Sequence, residues 1–338
     1  MKGVRRGQAL VLAMLLVLAL LTLGLGSAAI GTREAVLAAT LERTERARGL
    51  AETAVLDAVR AWSTRENRDL PPGSARTHPD GGSEVERVGR TLFLVRATRG
   101  VPAGSGSIEA SAAALVRTVD VRSLELRIPA AVTADEAVLD RGGIVADSGC
   151  GRPTRPGLLA GTASVGPGVE VAGDPPLAPM PVPAPPALEP AIDSLLDSLA
   201  DLHLPPSTLT PEPRSLDGVC TTAPDNWGST DPHHPCHGRL PLVHATGPLV
   251  VAGGSGRGLL FVGGPLTLRD TEFEGVLLVR GTLTLDAGAR VRGAVRATRI
   301  HVLDGAVRGD PCQVLAALSG PALDRPFRLP DRWWVPVF

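Results

Sequence analysis

The segment DPHHPCHGR brings His233, His234, Cys236 and His237 together within nine residues. All four are side chains that bind zinc. Pro232 and Pro235 stiffen the loop, and adjacent histidines rarely reach one ion together. Cys220 lies 16 residues before Cys236, so a Cys220–Cys236 disulfide closing an exposed loop is the simpler expectation, and no metal site is assigned. The chain has four cysteines, Cys150, Cys220, Cys236 and Cys312. An even count in an exported chain favours two disulfides, and sequence alone leaves three pairings open. If Cys220 pairs with Cys236, a Cys150–Cys312 bond would clip the middle of the chain to the end of its last section.

Other candidate chemistry is sparse. GGSGRG (253–258) suggests a phosphate loop, but it lacks the Gly-Lys-Ser/Thr ending and opens no helix, so it is expected to be a turn. Asp135 with Glu136, and Glu272 with Glu274, are carboxylate pairs best read as solvated edges. The sequence holds no G-x-S-x-G elbow, H-E-x-x-H pair or calcium loop. No catalytic residue and no cofactor is therefore assigned, and the expectation is a protein that is not an enzyme. Net charge is −1, aromatics make up 3% and tyrosine is absent. Nothing in that composition favours a nucleic-acid partner or an aromatic-lined sugar cleft.

The first sixty residues must position everything else. Gln8 to Thr32 is an uncharged run of 25 residues, about 37 Å as a helix and enough to cross a hydrocarbon core. Lys2, Arg5 and Arg6 precede it and place the short N-terminus in the cytoplasm. Arg33 to Trp62 continues without proline, with Leu37, Leu41, Thr44, Ala47, Leu50 or Ala51, Ala54 or Val55, Val59 and Trp62 at helical spacing. Gln8 to Trp62 is thus expected to be one rod of roughly 80 Å, weakened at Gly24, Gly26 and Gly31.

The string RRGQALVLAMLLVLALLTLG, followed by a helix containing AETAVLDA, resembles the N-terminus of type IV pilin-like proteins. It is most similar to PilX-type minor pilins and the K-type minor pseudopilins of type II secretion. That resemblance implies cleavage by a prepilin peptidase after Gly7, leaving Gln8 as the mature N-terminus of a retained helix. It also implies other pilin-like subunits as partners and a single pass through the inner membrane, with the body extracytoplasmic. Leu12 stands where major pilins carry a glutamate thought to pair with a neighbouring subunit's N-terminal ammonium. Its absence fits a tip or initiating position. Three other readings of the same stretch stay open: a signal peptide cut near Ser27-Ala28-Ala29, an uncut single-pass anchor, and an incomplete twin-arginine signal at Arg5-Arg6.

The expected fold is α+β. It comprises a leader (1–7), a transmembrane and assembly helix (8–32) and a stalk helix (33–62), followed by a small pilin-like antiparallel sheet (63–130). Within that region 63–90 is expected to be loop, and Phe93, Val95, Ala97 and Leu124, Leu126, Ile128 alternate as in strands. A β-rich segment (131–174) follows. Next comes a proline-rich connector (175–245), in which Ile192, Leu195, Leu196, Leu199 and Leu202 mark a short docking helix.

Residues 246–312 repeat. Gly258, Gly275, Gly293 and Gly309 are 17, 18 and 16 residues apart. Two and four residues beyond each of the first three come Leu260 and Val262, Leu277 and Val279, Val295 and Ala297, all expected to face inward. Leu259 and Phe261, Val276 and Leu278, Ala294 and Arg296 form the opposite face, which loses apolar character by the third copy. Short units with glycine corners are the pattern of a β-solenoid-like stack, with an antiparallel meander as the alternative. Three coils barely suffice, so the ends need caps, from the C-terminal segment or from residues 131–173, whose texture is similar. Residues 313–338, with Trp333, Trp334 and Phe338, are expected to form one as a lid, or else an exposed contact.

These features lead to the expectation of a structural minor pilin-like subunit. The alternative is a single-pass envelope scaffold with a β-solenoid interaction domain, and a secreted carbohydrate-active protein is a third.

Overall fold

A computed structural model describes residues 4–62, 66–67, 70–78, 81–181, 188, 190–328 and 334–335, with backbone alone for 4–10, 190–193, 327–328 and 334–335. The chain forms two compact units: Met1–Trp62, Glu66–Arg117 and Arg328–Phe338 make the first, and Ser63–Arg65 with Thr118–Phe327 the second. The boundary expected near residue 130 thus falls at 117.

Helix α1 (Val4–Arg60) is 57 residues long, about 85 Å. Gly24, Gly26 and Gly31 lie inside it without interrupting it, because each glycine costs only about 1 kcal/mol in a long cooperative helix. Hydroxyls in the apolar stretch bond back along the helix: Thr22 to the Leu18 carbonyl at 3.1 Å, Ser27 to Leu23 at 2.9 Å, Thr32 to Ala29 at 3.0 Å. Their polarity is thereby satisfied inside the helix.

The stalk's apolar stripe meets a partner only from Ala47 onward. Ala47, Ala51, Ala54, Val55 and Ala58 are buried, whereas Leu37 and Leu41, earlier on the same helical stripe, are 63% and 65% exposed. Small side chains let the helix approach an antiparallel sheet of β1 (Ala75–Thr77), β2 (Ser83–Arg87), β3 (Leu92–Ala103) and β4 (Gly106–Arg117). Val85, Phe93, Val95, Ala97, Ala112, Ala114 and Val116 complete this core, and Trp62 sets its ring edge-on to Phe93 at 5.1 Å. Two expectations need correction. β1 and β2 occupy a stretch read as loop: Ser83 and Val85 alternate inward with Glu84 and Glu86 outward, too short a pattern to outweigh the surrounding Gly and Pro. In the C-terminal tail, the backbone of Trp334 and Val335 pairs antiparallel with Ala114 and Ala113 of β4 and does not join the repeats. An unpaired sheet edge recruits a strand more readily than a covered face does. Trp333 and Phe338 lie outside the described residues.

The second unit is a 14-stranded ladder whose pairings are parallel throughout. The glycine repeat spacing is its register offset: Gly258 pairs with Gly275, Gly275 with Gly293 and Gly293 with Gly309. Strands 255–262, 272–286 and 289–302 are therefore stacked copies, with a one-residue slip between Val279 and Thr282. Inward side chains form columns. One runs Leu202, Val243, Leu260, Leu277, Val295, Val132, Leu158, Leu177. Another runs Leu209, Val251, Leu268, Leu285, Val302, Leu139, Val165. A third runs Phe273, Val291, Val307, Ile144, Val171, and Trp227 packs over Gly256 at its end.

Spatial order departs from chain order. The chain starts mid-stack at 132, steps outward through 158 and 177, and then crosses to the far end. It returns through 202, 243, 260 and 277 to 295, which pairs with 132. Residues 131–174 and 246–312, read as separate sections, are one ladder.

Helices cover the outward face of the first column. α2 (Val121–Glu125), α3 (Pro190–Leu199), α4 (Pro311–Leu318) and α5 (Pro321–Asp324) place Leu124, Leu196, Leu199, Val314, Leu318 and Leu323 on Leu259, Phe261, Val276 and Leu278. The face read as opposite the core is thus a second core. Arg296, where that face turns polar, is buried with its guanidinium 3.3 Å from Asp135. Burial lowers the Arg296 pKa and Asp135 opposes that shift. The 124–128 stretch is helix and turn, with Leu124 and Ile128 buried four residues apart and Leu126 exposed. α3 ends at Leu199, and Leu202 belongs to a strand in the first core; the Ile192 side chain lies outside the described residues.

Glycine is required at the corners. Gly275 has φ +137, and a Cβ there would lie 2.0 Å from the Gly258 carbonyl oxygen. Gly275→Ala should therefore cost at least about 2 kcal/mol. Gly49, helical with open space around it, gives the opposite sign: Gly49→Ala should stabilise by about 0.5–1 kcal/mol. Paired chemical-denaturation curves check both signs.

Candidate functional site

The most conspicuous surface is α1 before its buried half. Val11, Leu12, Met14, Leu15, Leu16, Val17, Leu18, Leu20, Leu21, Leu23, Leu25 and Ile30 are each more than half exposed. They point in every direction around the helix, so no single face can hide them. This is the one helix among the described residues long and apolar enough to cross a membrane. With two disulfides, it points to a membrane-anchored or secreted protein. Gly7 and Gln8 lie on its first turns, with backbone alone described. Leu12 is 66% exposed.

The cysteines form two pairs, Cys150–Cys312 and Cys220–Cys236. The first joins loops 162 residues apart in sequence, tying residue 150 to the first turn of α4; the second closes a 16-residue loop. Asp310 caps that turn, accepting from the amides of Cys312 at 2.9 Å and Gln313 at 3.4 Å. In the smaller loop, buried Asn226 donates to the Arg214 carbonyl at 2.8 Å and the Thr221 carbonyl at 2.9 Å.

The histidine cluster does not converge. Cys236 is spent in its disulfide and offers no thiolate. His234 Nδ1 accepts from the Cys236 amide at 3.0 Å. His237 Nδ1 lies 2.9 Å from Arg257 Nη1, and a guanidinium can only donate, so that nitrogen is an acceptor already engaged. Gly258, Gly275, Gly293 and Gly309 align as a column of corners, continued by Ala146, with a structural part to play. Gly253 and Gly254 adopt φ +77 and +78, making GGSGRG a turn that leads into a strand.

Sequence reading missed two groupings. The first is a partly buried charge chain across adjacent strands, in which Glu274, read with Glu272 as a solvated edge, is buried. Arg257 Nε lies 3.0 Å from Glu274, which meets Arg292 at 3.2 Å, which meets Asp310 at 2.9 Å. Arg257 also donates to Gln313 at 3.0 Å and to the His237 carbonyl, joining the disulfide loop to α4. The 17- and 18-residue offsets that place Arg257, Glu274 and Arg292 side by side were legible; the burial of Arg257 and Glu274 was not. The second grouping is Asp197, His203 and His244, gathered from α3 and two neighbouring strands. No local motif marks it: Asp197 and His203 are six residues apart, and strand stacking alone adds the distant His244.

No protein-family model matches the chain, and no curated protein matches it. Among solved structures, it is similar to a glycosylated ice-binding protein from an Arctic yeast. Identity is 14%, coverage is 57% of this chain and 94% of that one, and the TM-score is 0.26. A likeness that slight bears on neither fold nor function.

Two stability effects follow. Glu274→Ala leaves buried Arg257 without its carboxylate, while Arg292 keeps Asp310, and should cost about 3–5 kcal/mol. Removing Cys150–Cys312 by double alanine substitution should cost roughly 2–5 kcal/mol, more than removing Cys220–Cys236, since the longer closed loop restrains the unfolded chain more. Equilibrium unfolding of the variants in parallel checks the magnitude and the ranking.

Proposed function

We propose that this chain is a minor pilin-like structural subunit that enters a type IV pilus or a related assembly through α1. The supporting observation is the change of environment along one unbroken helix. Residues 11–30 present apolar side chains all around, while Ala47 to Ala58 pack on an antiparallel sheet. An all-round apolar surface is stable only in lipid or against other apolar helices. The buried half gives that surface a rigid attachment to the small sheet of the first unit.

In this reading Gly7 precedes the peptidase cut and Gln8 begins the mature chain. The N-terminus faces the cytoplasm, α1 crosses the inner membrane, and both disulfide-bearing loops are extracytoplasmic. The parallel ladder is a β-solenoid that decorates or ends the filament. Leu12 removes a carboxylate that a neighbour inside an apolar filament core would have to pair, which suits a tip or initiating position. The subunit carries no catalytic role, and the chemistry is the peptidase's.

A single-pass envelope scaffold is the second reading. Leu12 also favours it, since an anchor that joins no filament has no use for the glutamate. Mass spectrometry of the mature N-terminus in the native host separates the two: a chain starting at Gln8 supports the subunit, and one starting at Met1 the anchor. Gly7→Asp should leave the leader attached and abolish recovery in sheared filaments. A soluble chain beginning near Ile30 would overturn both readings.

A further inference from the structure

Where the chain re-enters the ladder after its crossover, three side chains converge. His203 and His244 are register partners on adjacent parallel strands, and Asp197 projects toward them from the last turn of α3. Asp197 Oδ1 lies 2.7 Å from His244 Nδ1 and 3.3 Å from His203 Nε2, which is also 2.9 Å from the Asp197 carbonyl and must leave that contact to bind an ion. One ligand atom from each residue fits within a 4.8 Å span. A tetrahedral zinc ion with bonds near 2.1 Å holds its donors about 3.4 Å apart, so small side-chain rotations bring these atoms to binding distance.

The imidazoles are prearranged. His244 is 7% exposed at its side chain and stacks on Phe261, with ring centroids 5.1 Å apart and planes 13° from parallel. His203 stands edge-on to it at 6.1 Å. Packing that fixes ring orientation lowers the cost of ordering ligands when an ion binds. The outer side stays open: the side chains of His203 and Asp197 are 54% and 50% exposed. Water can then fill a fourth position. Two neutral imidazoles and one carboxylate form a donor set for a late first-row divalent ion and a poor one for magnesium or calcium.

We propose that Asp197, His203 and His244 bind a divalent transition-metal ion, with Zn2+ as the reference probe, as a structural clip. The ion would join the end of α3 to the first two strands after the crossover. Each binding nitrogen presents its lone pair, with the ring's hydrogen on the other nitrogen so that both imidazoles stay neutral, and the ion keeps a coordination water on the outward side. This inference is independent of the filament reading.

The test uses the full chain in detergent, stripped with a chelator and titrated with Zn2+ by calorimetry, and with Co2+ by absorption. The expected result is a single saturable site, a tetrahedral-type Co2+ band and a higher melting temperature with metal. His203→Ala should weaken binding about tenfold or more, while the His233→Ala/His234→Ala double variant should bind as the parent does. If metal-free His203→Ala melts below the metal-free parent, Asp197→Asn, which keeps the side chain's shape, decides by the same titration. Absence of saturable binding by the parent overturns the proposal. So does unchanged binding in the deciding variant, or loss of binding in the loop double variant.

Discussion

Val295, from the third repeat, lies beside Val132, from the first strand of the second unit, and that contact turns two ladders into one. Each ladder alone would leave an open edge of backbone groups and a column of apolar side chains facing water. Parallel pairing admits no local hairpin, so every contact in the stack is long-range in sequence. Register follows from the inward columns: a slip of one residue would turn Leu260, Leu277 and Val295 outward together. The corners follow from register, because a side chain at Gly275 or Gly293 would meet the carbonyl of the corner before it.

Around that stack, polar interactions hold what apolar packing leaves loose. The chain from Arg257 through Glu274 and Arg292 to Asp310 runs across three strands and ends on the cap of α4. The Cys150–Cys312 bond reaches the same helical turn from another loop. α4 is thereby fastened at its start by a cap, an ion pair and a covalent bond, while Val314, Ala317 and Leu318 bury its other face. Such convergence suits a helix of eight residues, too short to be stable alone.

What was legible in the sequence followed from periodicity within a short window. The long helix, the glycine offsets, the inward rows from Leu260 to Ala297 and the turn at Gly253 and Gly254 could all be read along the chain. What escaped depended on placement between distant segments. Residues 131–174 lack evenly spaced glycines, so only a similar texture linked them to the repeats and their place in the same ladder was not legible. The outward row of Leu259, Phe261, Val276 and Leu278 looked like a weakening face because the helices that cover it come from 121–125, 190–199 and 311–324. Leu124 and Ile128 fit both a strand and one helical turn, and burial against the second core selected the turn. His244 joined Asp197 and His203 only through strand stacking.

That crossover sets a timetable for a chain synthesised from its N-terminus. The strands at 132, 158 and 177 emerge early, with one edge waiting for residues that follow much later. At synthesis rates of about 5–20 residues per second the wait is roughly 10–30 s, long for an uncovered parallel edge. The Cys150–Cys312 bond, whose partners are 162 residues apart, can close in its native place only after the returning strands dock. Its oxidation is therefore a natural chemical clock for completion of the body.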